Sequence, residues 1–499
     1  MKPAIKKDTV KVLLIYPPTG TISTYNTPTG LLYIATVLKQ RGYRVKLVDC
    51  SVEPEYQDIL DREIIDTDLL GVYAMSVHIR YLLPELRRLK EKNPRVKIIW
   101  GGPHAILFTE QTAQSPLADI VVPGEGEDVM LDIVRRIESG TLDLHKVDGI
   151  CFKENGGVVT TPARPFVDVN KLPILDWSML KPEVLSVVKR SIIRVQASRG
   201  CPYRCAFCIN VLTKNRKMRY RDPVNVLNEI EFLSREFNIQ RVGFRDEVFM
   251  SNKQQVREIA QGLLDRNIRI TWLANPRVEY LRESYVGDDY LKLLADSGCN
   301  KLQCGGESGS QRILELLRKG IKVEDILNFV RRTKKFNIIP LVAFMTGIPT
   351  ETKAEQMQTL RLIREILRIQ PRAFINGPAN YRPYPGGELY DMCVRDYGLK
   401  MPETLEEWEH AEILGGSEPP WIKNMTFNKY LWTSTKASTN TSAYIWQKIR
   451  QNPFKGLGIL FLTIISKLRL RWLFYRFPFE FYLLDFYYYR IRKQVPEMS

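Results

Sequence analysis

Residues 192–208 read Ile-Ile-Arg-Val-Gln-Ala-Ser-Arg-Gly-Cys-Pro-Tyr-Arg-Cys-Ala-Phe-Cys, an apolar strand-like run followed by a loop that holds three cysteines. These are Cys201, Cys205 and Cys208, and no fourth cysteine lies close by in the sequence. A cubane iron–sulfur cluster normally takes four thiolates, one for each iron. Three thiolates would leave one iron open to bind a molecule other than protein, as in a catalytic metal site and unlike a closed structural one.

Size and composition describe a globular protein. The chain has 499 residues, enough for about two or three domains, with 44% hydrophobic and 26% charged residues. Its eight cysteines are too few and too unevenly spaced for a disulfide scaffold, and no secretory signal opens the sequence, so we expect a cytoplasmic protein. The net charge of +17 predicts acidic partners: nucleic acid, anionic lipid headgroups, or a substrate with a carboxylate or phosphate.

The first part of the chain alternates strand-like and helix-like patterns. A helix pattern over 30–41 stops at Gly42, and the predicted strands are 10–16, 44–49, 69–75, 96–100 and 120–123. This alternation predicts a doubly wound parallel α/β sheet with helices on both faces, forming a domain over residues 1–145. Such sheets bind ligands beyond the carboxyl ends of their strands.

Small residues follow four of these strands or lie in the loops just beyond them, at 28–30, 76–78, 101–104 and 124–127. Glycine there would let the backbone approach a flat or phosphate-bearing ligand, although each glycine could instead only turn the chain. Four such loops at strand ends favour a ligand crevice. His78 and His104 lie on these loops, either as direct cofactor contacts or as structural residues.

A connector and a second α/β region follow. Residues 146–190 contain a hairpin pattern and a proline-rich run, and the βα alternation then restarts. The predicted strands are 192–197, 241–244, 268–273, 301–305, 338–344 and 373–376. They predict a partial (β/α)6 barrel over residues 191–400, whose active site would lie at the carboxyl ends of the strands. The cysteine loop directly follows the first of these strands and is therefore expected on that face.

The C-terminal region, residues 401–499, differs in kind. Residues 452–493 interleave Lys and Arg with Trp, Phe and Tyr, and the apolar run 456–465 is too short to span a bilayer. A helical tail of basic and aromatic residues is typical of an anchor on a membrane surface, here the inner face. Two alternatives stay open: a helix packed on the barrel under arginine stems, and base stacking on nucleic acid, which long apolar runs disfavour.

The cysteine loop resembles the cluster motif of radical S-adenosylmethionine (SAM) enzymes. The resemblance lies in the spacing Cys201-x3-Cys205-x2-Cys208, with Phe207 before the last cysteine. Three further segments are similar to the usual barrel pattern: Gly305-Gly-Glu-Ser-Gly-Ser310, Phe344-Met-Thr-Gly-Ile-Pro349 and Pro383-Tyr-Pro-Gly-Gly387.

The N-terminal domain resembles the cobalamin-binding domain that precedes the barrel in one large class of these enzymes. Residues 28–33, 101–104 and 122–127 carry this match. The class includes methyltransferases and proteins like the anaerobic Mg-protoporphyrin cyclase. Together the two resemblances cover residues 10–390.

The resemblance implies three cofactors: a [4Fe–4S] cluster on Cys201, Cys205 and Cys208, SAM on the open iron, and cobalamin. The reduced cluster would cleave SAM to a 5′-deoxyadenosyl radical, which would take a hydrogen from an unactivated carbon, and methylcobalamin would deliver the methyl group. It implies SAM contacts at Phe207, Gly305, Gly306, Glu307 and Ser308. It implies cobalamin contacts at Thr29, Ser76, Gly101, Gly102, His104, Gly124, Glu125 and Gly126.

One loop departs from the family pattern. Many cobalamin domains carry Asp-x-His-x-x-Gly after the first strand, with the histidine on cobalt, whereas this chain has Tyr16-Pro-Pro-Thr-Gly20. Residues 143–149 resemble that motif with the glycine one place late, and we interpret them as a chance match. Cobalamin would then lack the histidine ligand, as in much of this class, or the domain would have lost cobalamin.

A few other residues are candidates with a structural alternative. Asp246 and Glu247 follow the second barrel strand, near SAM or substrate or in a salt-bridged rim. Tyr381 and Tyr384 would line the substrate pocket or simply pack. The cysteines that flank the fourth barrel strand, Cys299 and Cys304, are expected to be core thiols.

We therefore expect a cobalamin-dependent radical SAM methyltransferase that methylates an unactivated carbon of a large hydrophobic substrate, first a chlorophyll-type tetrapyrrole such as bacteriochlorophyllide. One alternative is an oxidative cyclase or carbon–carbon coupling enzyme on a tetrapyrrole, an isoprenoid or a hopanoid lipid. Another is a radical modifier of RNA or protein. A reductase or ferredoxin-type protein would supply the electron, and we expect no nucleic-acid partner.

Overall fold

The structure, a computed structural model, describes residues 10–18, 27–190, 192–211, 217–411 and 419–486. The chain forms two compact units. The first contains residues 1–202, 209–247 and 400–417, and the second contains residues 203–208, 248–399 and 418–499. Because these units interleave along the chain, the contiguous domains drawn from the sequence stay a prediction.

A seven-stranded sheet organises the first unit. Its strands are β1 (Lys11–Tyr16), β2 (Arg44–Asp49), β3 (Leu69–Tyr73), β4 (Lys97–Gly101), β5 (Ile120–Val121), β6 (Cys151–Glu154) and β7 (Gly157–Thr160). They lie in the order β2-β1-β3-β4-β5-β6-β7, and β1 to β5 are parallel. Strand β1 is buried at every residue, which explains its continuous apolar sequence.

Helices connect the strands of the first unit. They are α1 (Thr29–Gln40), α2 (Tyr56–Glu63), α3 (Ile79–Lys92), α4 (Pro103–Leu107), α5 (Thr109–Gln114), α6 (Glu127–Glu138), α7 (Pro182–Arg190) and α8 (Pro223–Phe237). Helix α3 buries Ile79, Leu82, Leu86 and Leu89, which recur every three or four residues and so face the sheet together. Helix α8 begins where Asp222 accepts a hydrogen bond from the backbone of Val224.

Four more strands of the first unit flank the cysteine loop in the sequence, two before it and two after it. They are β8 (Ile193–Val195), β9 (Ser198–Arg199), β10 (Arg219–Tyr220) and β11 (Arg241–Phe244). Strands β8 and β11 are parallel, with Arg194 opposite Gly243, and β9 pairs with β10 in an antiparallel hairpin.

Residues 400–411 return to the core of the first unit. Leu405 and Trp408 are buried there, and the Trp408 ring centroid lies 5.1 Å from that of His104. Arg87 on α3 forms an ion pair with Glu409 at 2.7 Å. This return was not predicted from the sequence, because its contacts join residues about 300 positions apart.

Four parallel strands form the sheet of the second unit, in the order β12 (Thr271–Ala274), β13 (Cys299–Glu307), β14 (Ile339–Thr346) and β15 (Phe374–Asn380). Helices alternate with them: α9 (Lys253–Asp265), α10 (Asp288–Asp296), α11 (Gln311–Leu316), α12 (Val323–Lys335), α13 (Lys353–Ile369) and α14 (Glu388–Tyr397). Along β14 buried and partly exposed residues alternate, as expected for a strand with two different faces.

The C-terminal part of the second unit is helical, with α15 (Met425–Ser438), α16 (Ser442–Gln451), α17 (Pro453–Trp472) and α18 (Phe479–Phe486). No helix in the described ranges combines the length and apolarity that crossing a membrane requires. Residues 487–493 of the predicted membrane-surface tail lie outside the described residues. The predicted α/β fold class, with a parallel N-terminal sheet, a second βα region and a helical C-terminal region, is confirmed.

Candidate active site

A cavity of about 340 Å³ lies at the carboxyl ends of β1, β3, β4 and β5. This is the edge where parallel α/β sheets bind ligands. Six residues predicted to contact cobalamin line it: Thr29, Gly101, Gly102, Gly124, Glu125 and Gly126. The structure therefore brings together loops that are separate in sequence.

Glycines leave bare backbone on the wall of this cavity. Gly102 has φ of +90°, and a Cβ there would lie 2.9 Å from the carbonyl oxygen of Ala74, so only glycine fits. At Gly30 and Gly124 an added Cβ would meet no atom within 4 Å, because open space lies beside them. A cradle of backbone and open space suits a large flat group such as a corrinoid.

Ser76 and His104 do not line the cavity. The hydroxyl of Ser76 lies 3.0 Å from Nδ1 of His104, and His104 is fully buried beside Phe108 and Trp408. Burial lowers the pKa of His104 to about 3 and that of His78 to about 4, so both rings are neutral at pH 7. The geometry favours a structural role for these histidines, and their contact with cobalamin stays a prediction.

Two carboxylates and two guanidiniums form a buried cluster beside the cavity. Glu125 accepts hydrogen bonds from Arg219 at 2.7 and 2.8 Å and from Arg199 at 3.1 Å, and Glu127 accepts one from Arg199 at 2.7 Å. Burial alone would lower the pKa of Arg199, but the two carboxylates hold it above its usual value. The cluster ties the loop before α6 to the strand that leads into Cys201.

Asp246 also holds the segment that leads into Cys201. Its carboxylate accepts hydrogen bonds from the backbone N–H of Ala197, at 2.9 Å, and from the hydroxyl of Ser198. Full burial raises its pKa to about 7, although these hydrogen bonds oppose the shift. Asp246 is absent from the cavity wall, whereas Glu247, the other acidic candidate here, lines it.

In the second unit, Cys205 is buried in cationic surroundings. The Nη1 of Arg277 donates to its sulfur at 3.6 Å, and the guanidinium of Arg277 lies 3.7 Å from the ring centroid of Tyr203. The loop is held by a hydrogen bond from the N–H of Ala206 to the carbonyl of Leu317 at 3.0 Å. The guanidinium of Arg277 therefore lies directly beside one of the predicted cluster ligands.

The predicted SAM segment lies at the end of β13. Glu307 adopts φ of +58°, and its carboxylate accepts a hydrogen bond from Lys319 at 2.8 Å, with both side chains buried. A Cβ on Gly305 would overlap this carboxylate, and one on Gly306 would crowd Val342 and Phe344. A side chain at either position would therefore displace these neighbours.

The side chain of Lys319 lies close to both the cysteine loop and the SAM segment. The Lys319 ammonium lies 5.7 Å from the ring centroid of Phe207 while it pairs with Glu307. Ser308, in contrast, is fully buried, with its hydroxyl accepting from the N–H of Ser310 at 3.1 Å. The structure thus gathers Phe207, Gly305 and Glu307, and it turns Ser308 inward.

Among the described residues, no three His, Cys, Asp or Glu side chains converge closely enough to hold one metal ion. Three thiolates of a cubane bind three different irons, so they need not converge on one ion. Cys299 and Cys304 are buried, and burial raises the pKa of both thiols, as fits core cysteines. Tyr381 is also buried, near Trp421, whereas Tyr384 is 38% exposed.

Sequence reasoning missed the charged residues around both sites. Arg194, Arg199 and Arg245 line the cavity, and Arg277 and Lys319 surround the cysteine loop and the SAM segment. Arg199 carried a weak signal, since it stands two residues before Cys201. Arg277 and Lys319 have partners at other positions of the chain, Cys205 and Glu307, so no local pattern marks them.

Two family models match the chain. The radical SAM superfamily model matches residues 195–363, and the B12 binding domain model matches residues 18–134.

Relatives and a solved structure agree with these matches. An uncharacterized methyltransferase from Pyrococcus horikoshii is 30% identical over 77% of this chain and 83% of the relative. The anaerobic magnesium-protoporphyrin IX monomethyl ester cyclase of Rubrivivax gelatinosus is 27% identical over 82% of this chain and 76% of its own. The radical SAM methyltransferase TsrM from Kitasatospora setae was solved with cobalamin and a [4Fe-4S] cluster bound. Its structure matches this chain with a TM-score of 0.66 at 19% identity, and the match covers 77% of this chain and 78% of TsrM.

Proposed function

Because the chain belongs to the radical SAM superfamily and carries a B12 binding domain, we propose that it methylates an unactivated carbon of a large hydrophobic substrate. The predicted cofactors, a [4Fe–4S] cluster, SAM and cobalamin, are those of these two domains. The cluster supplies an electron to SAM and the corrinoid carries a methyl group, so the protein contributes binding and orientation.

One observation carries the proposal. A single cavity is lined both by loops of the B12 binding domain, at Gly101 and Gly124, and by residues of the first barrel strands, Arg194, Gln196 and Arg245. A corrinoid held by the loops would face the barrel strand that leads into Cys201. This is the arrangement that methyl transfer to a radical-activated carbon needs.

The residues divide into three proposed roles. Cys201, Cys205 and Cys208 hold the cluster, and Arg277 donates a hydrogen bond to the sulfur of Cys205. The second role, contact with SAM, falls to Phe207, Gly305, Gly306 and Glu307. Corrinoid contacts are assigned to Thr29, Gly101, Gly102, Gly124, Glu125 and Gly126.

A chlorophyll-type tetrapyrrole is our first choice of substrate. The name of the Rubrivivax gelatinosus relative states a tetrapyrrole ester as its substrate, and that similarity supports a tetrapyrrole here. Apolar side chains on the cavity wall, including Leu14, Ile34 and Met130, suit a flat hydrophobic molecule. A reductase or ferredoxin-type protein would supply the electron.

An isotope experiment tests methyl transfer. The anaerobically reconstituted chain receives SAM with a deuterated methyl group, a reductant, and a panel of tetrapyrroles, isoprenoids and hopanoids, and products are analysed by mass spectrometry. We expect one product that carries the label. A product that has lost hydrogen or formed a ring without gaining label would favour the cyclase or coupling alternative. Labelled RNA or protein from an added cell extract would favour the remaining alternative, a radical modifier of RNA or protein.

The C-terminal helices supply a further part of the proposal, contact with a membrane surface. The buried residues of helix α17 are Gly456, Thr463, Ser466, Arg469 and Leu470, and all but Leu470 are small or polar. Six of its large apolar residues are instead exposed: Phe454, Leu457, Phe461, Ile464, Leu468 and Trp472. They recur every three or four residues and so form one stripe along the helix, which reverses the usual pattern of a surface helix. We call these six residues the α17 stripe.

The charge around the α17 stripe indicates what kind of surface the stripe contacts. Between Glu418 and Glu480 the sequence contains ten Lys and Arg residues and no Asp or Glu. Lys455, Lys467 and Arg471 on α17 are exposed beside the stripe. Apolar side chains between exposed cations suit the surface of an anionic bilayer, where the rings insert among acyl chains and the cations meet headgroups.

Vesicle flotation tests this contact with the full chain. Vesicles of phosphatidylcholine alone are compared with vesicles that contain phosphatidylglycerol, at low and high salt. We expect binding to the anionic vesicles, weaker at high salt and lost in a Phe461→Ser, Trp472→Ser variant. Phe374→Ser is the matched control, since Phe374 is a 52% exposed aromatic outside α17. Equal flotation of both variants would contradict the proposal, as would a dimer that covers the stripe.

A further inference from the structure

Two arginines of the cavity wall come from neighbouring strands: Arg194 lies on β8, and Arg245 directly follows β11. Arg194 lies on β8 opposite Gly243 on β11, and Arg245 follows Gly243 by two residues. Because side chains alternate along a strand, Arg194, Gly243 and Arg245 share one face, the face that lines the cavity. Their neighbours Ile193 and Phe244 are buried and do not line the cavity.

Gly243 makes room for the first of these guanidiniums. A Cβ at Gly243 would lie 2.9 Å from Nη1 of Arg194 and 3.3 Å from its Cδ, so the Arg194 side chain runs across the bare backbone of the next strand. Any larger residue would displace it. The absence of a side chain at this one place thus holds Arg194 along the wall of the cavity.

Neither arginine has an anionic partner among the described residues. Within the part of the chain that the structure describes, Arg194 and Arg245 form no ion pair and no side-chain hydrogen bond. Burial, and then the charge of Arg245, lower the pKa of Arg194. Two like charges at the wall of a cavity repel each other, and an anion between them would relieve that repulsion.

The acidic groups of the same cavity are engaged elsewhere. Glu125 and Glu127 pair with Arg199 and Arg219, and Glu247 accepts a hydrogen bond from the N–H of Gly200 at 3.2 Å. The remaining wall is largely apolar, as at Leu14, Val72, Ile99 and Met130. An amphipathic molecule with one anionic end matches this distribution.

We propose that Arg194 and Arg245 together bind an anionic group, a carboxylate or a phosphate, of a molecule that occupies this cavity. Two sources share this chemistry: an acidic substituent of the substrate, and the phosphodiester of a bound corrinoid. The first source rests on the proposed function and would narrow its substrate to hydrophobic molecules with an acidic side chain. Paired guanidiniums suit both groups because each presents two donors to two oxygens.

Binding of inorganic pyrophosphate to the full chain, measured by calorimetry at constant ionic strength, tests the pair. We expect Arg245→Gln to weaken binding about tenfold to hundredfold, because charge-assisted hydrogen bonds are lost. Arg245→Lys should retain more of the affinity, since it keeps the charge. Gly243→Ala should also weaken binding, because it displaces Arg194 without removing either charge. Arg95→Gln is the control, an exposed arginine outside the cavity.

Two loaded forms identify the source of the anion. The chain is loaded with cobalamin, or with cobinamide, which lacks the phosphodiester, and pyrophosphate binding is measured again. Binding to both forms assigns the site to a substrate group, and binding to the cobinamide form alone assigns it to the corrinoid. Pyrophosphate affinity that is the same in wild type, Arg245→Gln and Gly243→Ala overturns the proposal. This readout needs no turnover, so a failure of methyl transfer would leave it unchanged.

Discussion

The substitution Glu125→Gln probes the buried charge cluster beside the cavity. The Glu125, Arg199 and Arg219 side chains are 16%, 10% and 10% exposed, so the cluster is shielded from water. In the variant Arg199 keeps Glu127, whereas Arg219 loses its charged hydrogen bonds to Glu125. Breaking a buried pair by removing one partner costs about 3–5 kcal/mol. We expect about 3 kcal/mol here, since the glutamine amide still offers one acceptor oxygen.

Urea unfolding of the full chain, followed by tryptophan fluorescence, measures this loss. Glu154→Gln is the matched control, because Glu154 is 44% exposed and pairs with His145 at the surface. That substitution should change the free energy of unfolding by about 0–1 kcal/mol. Burial would raise the pKa of Glu125, but Arg219 and Arg199 hold it below its usual value, so its stabilisation is present at pH 7 and lost as pH falls. Equal stability of the two variants at pH 7 would refute the reasoning.

Three more predictions address other parts of the molecule. Arg469→Met leaves the Glu480 carboxylate, 2% exposed, without its guanidinium, so thermal unfolding should show a loss of about 3–5 kcal/mol and earlier proteolysis within α15–α18. Because burial lowers the pKa of His104 to about 3 from 6.5, unfolding should cost about 2 kcal/mol less at pH 5 than at pH 7, and His104→Asn should remove this part of the pH dependence. Arg277→Met removes a cation beside Cys205, which should lower the reduction potential of the cluster by on the order of tens of millivolts. A redox titration followed by electron paramagnetic resonance measures this potential. An unchanged potential would show that Arg277 does not influence the cluster electrostatically.

Local patterns were sufficient for most of the elements. The strands 44–49 and 241–244 and the helix 223–237 have the predicted bounds, because their periodicity and their caps are encoded within the element itself. The observed bounds differ from the predicted ones where the adjoining loops determine them. Strand β13, for example, spans Cys299–Glu307, whereas the prediction was 301–305. The hairpin of β9 and β10 was missed, since each strand has two residues and no measurable period.

The sequence predicted the glycine loops of the candidate site, but it did not predict the ion pairs around them. Glycines at 101, 102, 124 and 126 mark the cavity in the sequence because they directly follow predicted strands, where bare backbone can approach a ligand. Arg199 and Arg219 could not be paired with Glu125, because 74 and 94 residues separate them from it. The same limit applies to Trp408, whose burial depends on contacts with His104 and Phe108.

The C-terminal region shows a further limit of sequence patterns. The sequence predicted an apolar, basic helix but not which of its faces is exposed. Packing decides this, because Gly456 lies so close to α16 that a Cβ would come within 2.4 Å of the Cα of Ile449. Once that small face is buried, the large apolar residues of α17 face outward.

Cofactor content after anaerobic purification and reconstitution tests the central claim, a cluster at the cysteine loop and a corrinoid in the cavity. Iron, sulfide and corrinoid are quantified per chain in wild type, Cys205→Ala and Gly124→Phe. Gly124→Phe would fill open space, since a Cβ there meets no atom within 4 Å. We predict that wild type holds both cofactors, that Cys205→Ala loses the cluster and keeps the corrinoid, and that Gly124→Phe does the reverse. A full cluster in Cys205→Ala, or full corrinoid in Gly124→Phe, would contradict the assignment.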